Sequence, residues 1–181
     1  LWDFTTRQRT ATLQGHLNEV WAVTLSADGQ TLVSGAKDGA VNIWSTRRAK
    51  REDVVPDVWQ PMAFSKDSRN LAAFDRSSAM VILNMATGEK DHQFPLDNQS
   101  GRGRPRFWPP PIALSADFRT LAQGMDDGSV HLLNLETREA STVQAEEGRV
   151  ELVTLSPDAR FLVTGGGGRE RELRWWDFTN G

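Results

Sequence analysis

The chain has 181 residues, 38% of them hydrophobic, no cysteine and a formal net charge of −3. That length and apolar content can bury a core, and the lack of any run of about 18 apolar residues excludes a membrane-spanning helix. Zero cysteine excludes a disulfide framework and thiol catalysis and makes a reducing compartment, the cytoplasm, the expected location, while the slight acidity gives no general attraction to nucleic acid or an anionic membrane.

In chain order, residues 1–4 read Leu-Trp-Asp-Phe, which returns near the other end as Trp176-Asp177-Phe178, so they are expected to be the tail of a preceding copy of a repeat. The start at Leu1, without Met, fits a piece of a longer parent. An outer strand is expected at 9–14. The runs VWAVTLS, TLVSG and AVNIW then alternate or stay apolar at strand length and predict inner strands at 19–25, 31–35 and 40–44. Asp28-Gly29 and Lys37-Asp38-Gly39 supply the left-handed backbone positions of the hairpins between them. The same pattern predicts an outer strand at 51–55 with inner strands at 58–64, 70–74 and 79–84, then an outer strand at 89–94 with 108–114, 119–123 and 129–134. A last set has 138–143 outside and 149–155, 160–164 and 172–177 inside.

The register of these copies follows from an apolar residue and a serine that end each first inner strand: Leu25-Ser26, Phe64-Ser65, Leu114-Ser115 and Leu155-Ser156. The third inner strand closes on Trp44, Leu83, Leu133 and Trp176. In the best copy, residues 15–44, a Gly-His start, a second-strand serine, a turn aspartate and a third-strand tryptophan resemble the WD-repeat family of β-propellers; the matching residues are His16, Ser34, Asp38 and Trp44. The segments VILNMATGE, HLLNLETRE and RWWDFTNG are similar to the family's Trp-Asp ending. The resemblance covers the whole chain and implies an all-β fold of about four four-stranded antiparallel propeller blades. It also implies a buried hydrogen-bond chain from Trp44 through Ser34 and His16 to Asp38, structural and not a catalytic triad. Copies two to four have no second Gly-His, and Ser77 and Glu170 stand at the turn-aspartate place of copies two and four, while Asp127 keeps it in copy three. Those three copies are therefore expected to lack the complete polar chain and to pack apolar residues instead.

We read one propeller segment over 1–181, with a tail at 1–7 and repeats at about 8–49, 50–88, 89–138 and 139–181. The strand total exceeds four complete blades by one, because residues 1–4 duplicate the place of 176–178. An open arc of a larger ring is expected, whose edges need neighbouring blades of the parent chain or self-association.

Two segments exceed the repeat length, residues 95–111 and 164–172, and are expected as loops on one face. The first carries Arg104, Arg106 and Trp108, the second Arg169 and Arg171, and Lys37 and Arg76 hold the equivalent turns of copies one and two. Arg and Trp carry interface energy, so this face is expected to bind a protein or peptide, acidic or phosphorylated. Set beside it, a solvated arginine loop and blade-core aromatics explain the same residues. Gly165 to Gly168 lacks the lysine and helix of a phosphate loop, and Asn98-Gln99-Ser100 matches a glycosylation acceptor with nothing else pointing to secretion. His16, His92 and His131 lack metal-ligand spacing, so no metal or cofactor is expected. The favoured function is a non-catalytic interaction scaffold in a multidomain protein. The rival is a propeller hydrolase or lyase whose central channel would bring together residues such as Arg106, Asp126, His131 and Glu151. RNA binding through Phe107 and Trp108 is disfavoured by the acidic balance.

Overall fold

A computed structural model describes residues 1–55, 57–77, 79–94, 96, 111–167 and 172–178. They form seventeen strands, all paired antiparallel, and no helix. The chain divides into two compact units, Leu1–Leu96 and Asp97–Gly181.

In the first unit a short hairpin pairs β1 (Trp2–Asp3) with β2 (Gln8–Arg9). The first blade follows in the order β3 (Val20–Leu25), β4 (Thr31–Ala36), β5 (Val41–Ser45), β6 (Lys50–Val54). The second repeats it with β7 (Val58–Phe64), β8 (Asn70–Asp75), β9 (Met80–Asn84) and β10 (Lys90–Phe94). In the second unit the third blade holds β11 (Ile112–Leu114), β12 (Thr120–Gly124), β13 (Ser129–Asn134) and β14 (Ala140–Gln144). The fourth is three-stranded: β15 (Val150–Leu155), β16 (Phe161–Gly166), β17 (Leu173–Asp177).

Strand bounds agree with the apolar pattern to within a residue or two except at two places. The first outer strand, expected over 9–14, is the two-residue β2, held in a hairpin with β1. The strand expected over 108–114 is described from Ile112, because residues 108–110 lie outside the described part.

One clasp fixes the turn between the first two inner strands of every copy. Ser26 donates its hydroxyl to Asp28 Oδ1 at 2.6 Å, Asp28 accepts the Gln30 amide, and Ser26 Oγ accepts the Thr31 amide. Ser65–Asp67, Ser115–Asp117 and Ser156–Asp158 repeat the 2.6 Å contact with the same two amide positions. The turn ends on a left-handed residue, which is Gly29 in copy one but Ser68, Phe118 and Ala159 in the others. Side chains rarely take that conformation, so the clasp holds three strained positions.

Blades pack face to face by their inner strands. In the first unit Val33 and Val41 of the first blade bury against Val58, Leu71, Ala73, Val81 and Leu83 of the second, with Val55 in the connection. In the second unit Ala122 and Val130 of the third blade bury against Val150, Val153 and Leu162 of the fourth. Glycine permits the closest approach. A Cβ on Gly35 would lie 2.6 Å from Pro61 Cδ and 2.8 Å from the Trp59 carbonyl oxygen, and one on Gly124, at the same repeat position, 2.5 Å from Val150 Cγ1.

Candidate functional site

The first blade carries a buried cluster of polar side chains. The loop before β3 delivers His16, β4 delivers Ser34, the β4–β5 turn Asp38, and β5 Asn42 and Trp44. Trp44 Nε1 donates to Ser34 Oγ at 2.8 Å, Ser34 Oγ lies 2.7 Å from His16 Nε2, and His16 Nδ1 lies 3.1 Å from Asp38 Oδ2. An indole N–H only donates, so the serine accepts it and gives its own proton to Nε2; the imidazole proton then sits on Nδ1, facing the carboxylate. Asp38 also accepts the amides of Leu17 at 2.7 Å and Ala40 at 3.0 Å. Burial raises the Asp38 pKa, but these donors together with His16 outweigh it and hold the carboxyl below its usual value of 3.8. Asn42 Nδ2 lies 3.2 and 3.3 Å from the two ring nitrogens, so the amide rests on the face of the imidazole, and its buried Oδ1 has no hydrogen-bond partner.

A serine, histidine and aspartate in a row can activate a nucleophile only where a substrate reaches the hydroxyl. Here Ser34 is 4% exposed and Trp44 3%, and the tryptophan N–H occupies the serine oxygen. The chain clamps the start of the blade to its third strand.

The same lattice positions are filled differently in the other copies. Copy two places Val55, Ala73, Val81 and Leu83 where copy one has His16, Ser34, Asn42 and Trp44, and all four are buried in the apolar core, as expected from sequence. Its turn is capped by Asp75, two residues before Ser77: the carboxylate accepts the Ser77 amide and hydroxyl, the Ala79 amide and Gln93 Nε2. Copy three sets Gln123 opposite His131 across β12–β13, and Asp127 caps its turn by accepting the Ser129 amide and hydroxyl.

Copy four keeps a partial polar chain where apolar packing was expected. Glu146 stands ten residues before Ser156, as His16 stands before Ser26. Its Oε1 accepts the Thr164 hydroxyl at 2.7 Å, and Trp176 Nε1 donates to Thr164 Oγ1 at 3.2 Å. Arg174, at the position of Asn42, lies 3.8 Å from Glu146 Oε2 and donates to the Ala145 carbonyl at 3.0 Å. A carboxylate accepts the hydroxyl as an imidazole nitrogen does, and the guanidinium supplies the opposite charge. A search for a second Gly-His misses this exchange; the ten-residue offset from the clasp serine finds it.

Of the residues expected to meet a partner, Lys37 is half-exposed in the β4–β5 turn, 3.7 Å from Glu19, and Arg76 is exposed in the equivalent β8–β9 turn. Arg104, Arg106, Trp108, Arg169 and Arg171 lie outside the described residues. So does Arg106's part in the channel constellation weighed above; of its other members, Glu151 pairs with Arg149 at 3.2 Å on the surface. Among the described residues no group of three or more His, Asp or Glu could hold a metal ion, and no helix is long and apolar enough to cross a membrane.

The family described as WD domain, G-beta repeat matches residues 7–45, the stretch that builds this clamp. Residues 7–45 are thus a WD repeat. It is 32% identical to small ribosomal subunit protein RACK1y of Oryza sativa subsp. japonica, over 93% of this chain and 51% of that protein. It is 26% identical to WD repeat-containing protein SL1-17 of Schistosoma mansoni, over 99% of this chain and 58% of that one. Among solved structures, that of U3-55K shares the fold with a TM-score of 0.68 and 23% identity, covering 92% of this chain and 51% of its own. The chain thus spans about half the length of these two relatives.

Proposed function

We propose that this WD-repeat chain is a non-catalytic scaffold that holds a protein or peptide segment on the face formed by the turns between its second and third inner strands and by the connection over residues 95–111. The observation that carries this reading is the state of the Ser34–His16–Asp38 row: every polar end of it is spent on Trp44, Leu17 and Ala40, inside a blade, with the serine 4% exposed. The most enzyme-like constellation of the sequence is used for architecture, which leaves the loops for recognition. Lys37 and Arg76 occupy one repeat position and both reach solvent; Arg169 and Arg171 belong to the segment that extends the same turn in copy four, and Arg104, Arg106 and Trp108 to the connection between β10 and β11, expected from sequence on the same face. Arginine and lysine there suit an acidic or phosphorylated peptide, and a tryptophan suits an apolar side chain beside it. Residence in a larger assembly agrees with the name of one relative, a small ribosomal subunit protein.

The test is binding to arrays of acidic and phosphorylated peptides, before and after charge reversal of Arg104 and Arg106 to Glu, and separately of Lys37 and Arg76. A control reverses Arg47 and Arg48 in the β5–β6 turn, at the other end of β5. Binding should fall at least tenfold in both loop variants and stay within twofold in the control, as expected for charge-assisted contacts of about 1.5–3 kcal/mol. Equal loss in all three, or loss in the control alone, removes these turns from consideration.

A further inference from the structure

Two blade faces in this protein are the matching halves of a contact that it already makes twice. The giving half is built from one residue of the second inner strand and two of the third. Val33 and Val41 are fully buried in this role on the first blade, with Ile43 beside them, and Ala122 and Val130 on the third, with Leu132 beside them. The fourth blade has Val163, Leu173 and Trp175 at the same positions, yet Leu173 is 67% and Trp175 70% exposed. The receiving half is Val150, Val153 and Leu162 on the fourth blade, all buried against the third. The first blade has Val20, Val23 and Leu32 there, with Leu25 alongside, and Val20, Val23 and Leu25 are 49%, 59% and 51% exposed. The glycine of the contact is also in place. Gly35 and Gly124 admit the next blade's strand, whereas the atoms nearest a Cβ on Gly165, their equivalent, belong to Leu173 and Leu152 of its own blade.

Contiguous exposed apolar faces on both halves of one repeated interface call for an occupant, and the complementary shape is carried by the same sequence. We propose that a second copy of this chain supplies it, seating its Val163–Leu173–Trp175 face on the Val20–Val23–Leu25–Leu32 face of the first. The two faces differ, so the contact is head-to-tail, giving a closed pair or a longer chain of copies. The inference rests on blade register and is independent of the peptide-binding reading.

Light scattering and sedimentation of the full chain over a range of concentrations test it. The expected result is a mass above that of one copy that rises with concentration. Val23→Glu spoils the receiving face and Trp175→Glu the giving face, so each variant alone should run as one copy. Mixed in equal amounts they should form a pair and stop there, because each keeps one intact half. Both side chains are more than half exposed, and circular dichroism with thermal melting checks that the variants fold; Val20→Lys replaces Val23→Glu if that variant does not. A wild-type chain that stays a single copy at every concentration overturns the proposal. So does association that survives both substitutions, or a mixture that fails to pair.

Discussion

His16 is held from both ring nitrogens, by Ser34 at 2.7 Å and Asp38 at 3.1 Å, so removing it leaves two buried groups without their partner. His16→Ala should lower stability by about 3 kcal/mol, two hydrogen bonds plus the cost of the stranded partners, and the melting midpoint by roughly 5–10 °C. A variant that melts with the wild type would show that the clamp is not structural. The aspartates predict an acid response. In Asp28, Asp67 and Asp158 the serine hydroxyl of the clasp is the main cause of a lowered pKa; in Asp38 and Asp117 burial pushes up and the donors overcome it. A carboxyl lowered by folding contributes stability that is fully present above its unfolded value, near 3.8, and is lost as pH falls through the folded value. Tryptophan fluorescence should therefore report unfolding that sets in below about pH 4. Asp158→Asn should be less stable at neutral pH and flatter in its pH dependence, and an unchanged pH profile would show that the clasp carboxylate carries none of it.

At the scale of elements, the β-turn clasp and the blade contact place opposite demands on small residues. Ala159 takes a left-handed φ of 58° in the turn before β16, where copy one has glycine. Ala159→Gly should raise the melting midpoint, with a gain of up to about 1 kcal/mol after the entropy of the added glycine is counted. Gly35→Ala should do the reverse, because the new methyl would meet Pro61 and the Trp59 carbonyl, and overpacking of this kind costs about 1–3 kcal/mol. Thermal melts of the two variants side by side check both signs. The polar clamps belong to this scale as well: His16 and Glu146 show that imidazole and carboxylate both serve as acceptor for a second-strand hydroxyl, the imidazole Nδ1 facing Asp38 in one case and the carboxylate facing Arg174 in the other.

For the whole molecule the relevant quantity is charge against ionic strength. The chain is acidic overall, at −3, so an acidic partner must be drawn by local groups such as Lys37 and Arg76 and not by net charge. Exposed pairs of this kind are screened over about 10 Å at 0.1 M salt. Peptide binding should weaken steeply as salt rises, whereas the head-to-tail contact, being apolar, should hold or strengthen. Titrating both with sodium chloride separates the two surfaces, and salt-insensitive peptide binding would count against the basic turns.

The strand positions and the repeat register were legible in the sequence, because each depends on local periodicity and on turn residues a few positions apart; the His16–Ser34–Asp38–Trp44 grouping was expected only from the resemblance to WD repeats. The apolar filling of copy two was legible too, since Leu83 in place of tryptophan already removes the donor that a serine would answer. What the sequence left undecided depends on side chains far apart in the chain. That Glu146 and Arg174 together replace His16 and its aspartate follows from the packing of a loop against β16 and β17, which places a carboxylate within 2.7 Å of Thr164. That Asp75, and not Ser77, caps the second turn follows from where β8 ends. The extra strand led us to expect open ends, but that Val20, Val23, Leu173 and Trp175 are the exposed residues was not legible, because an apolar strand face reads identically whether or not another blade covers it; only tertiary structure decides which face has a neighbour.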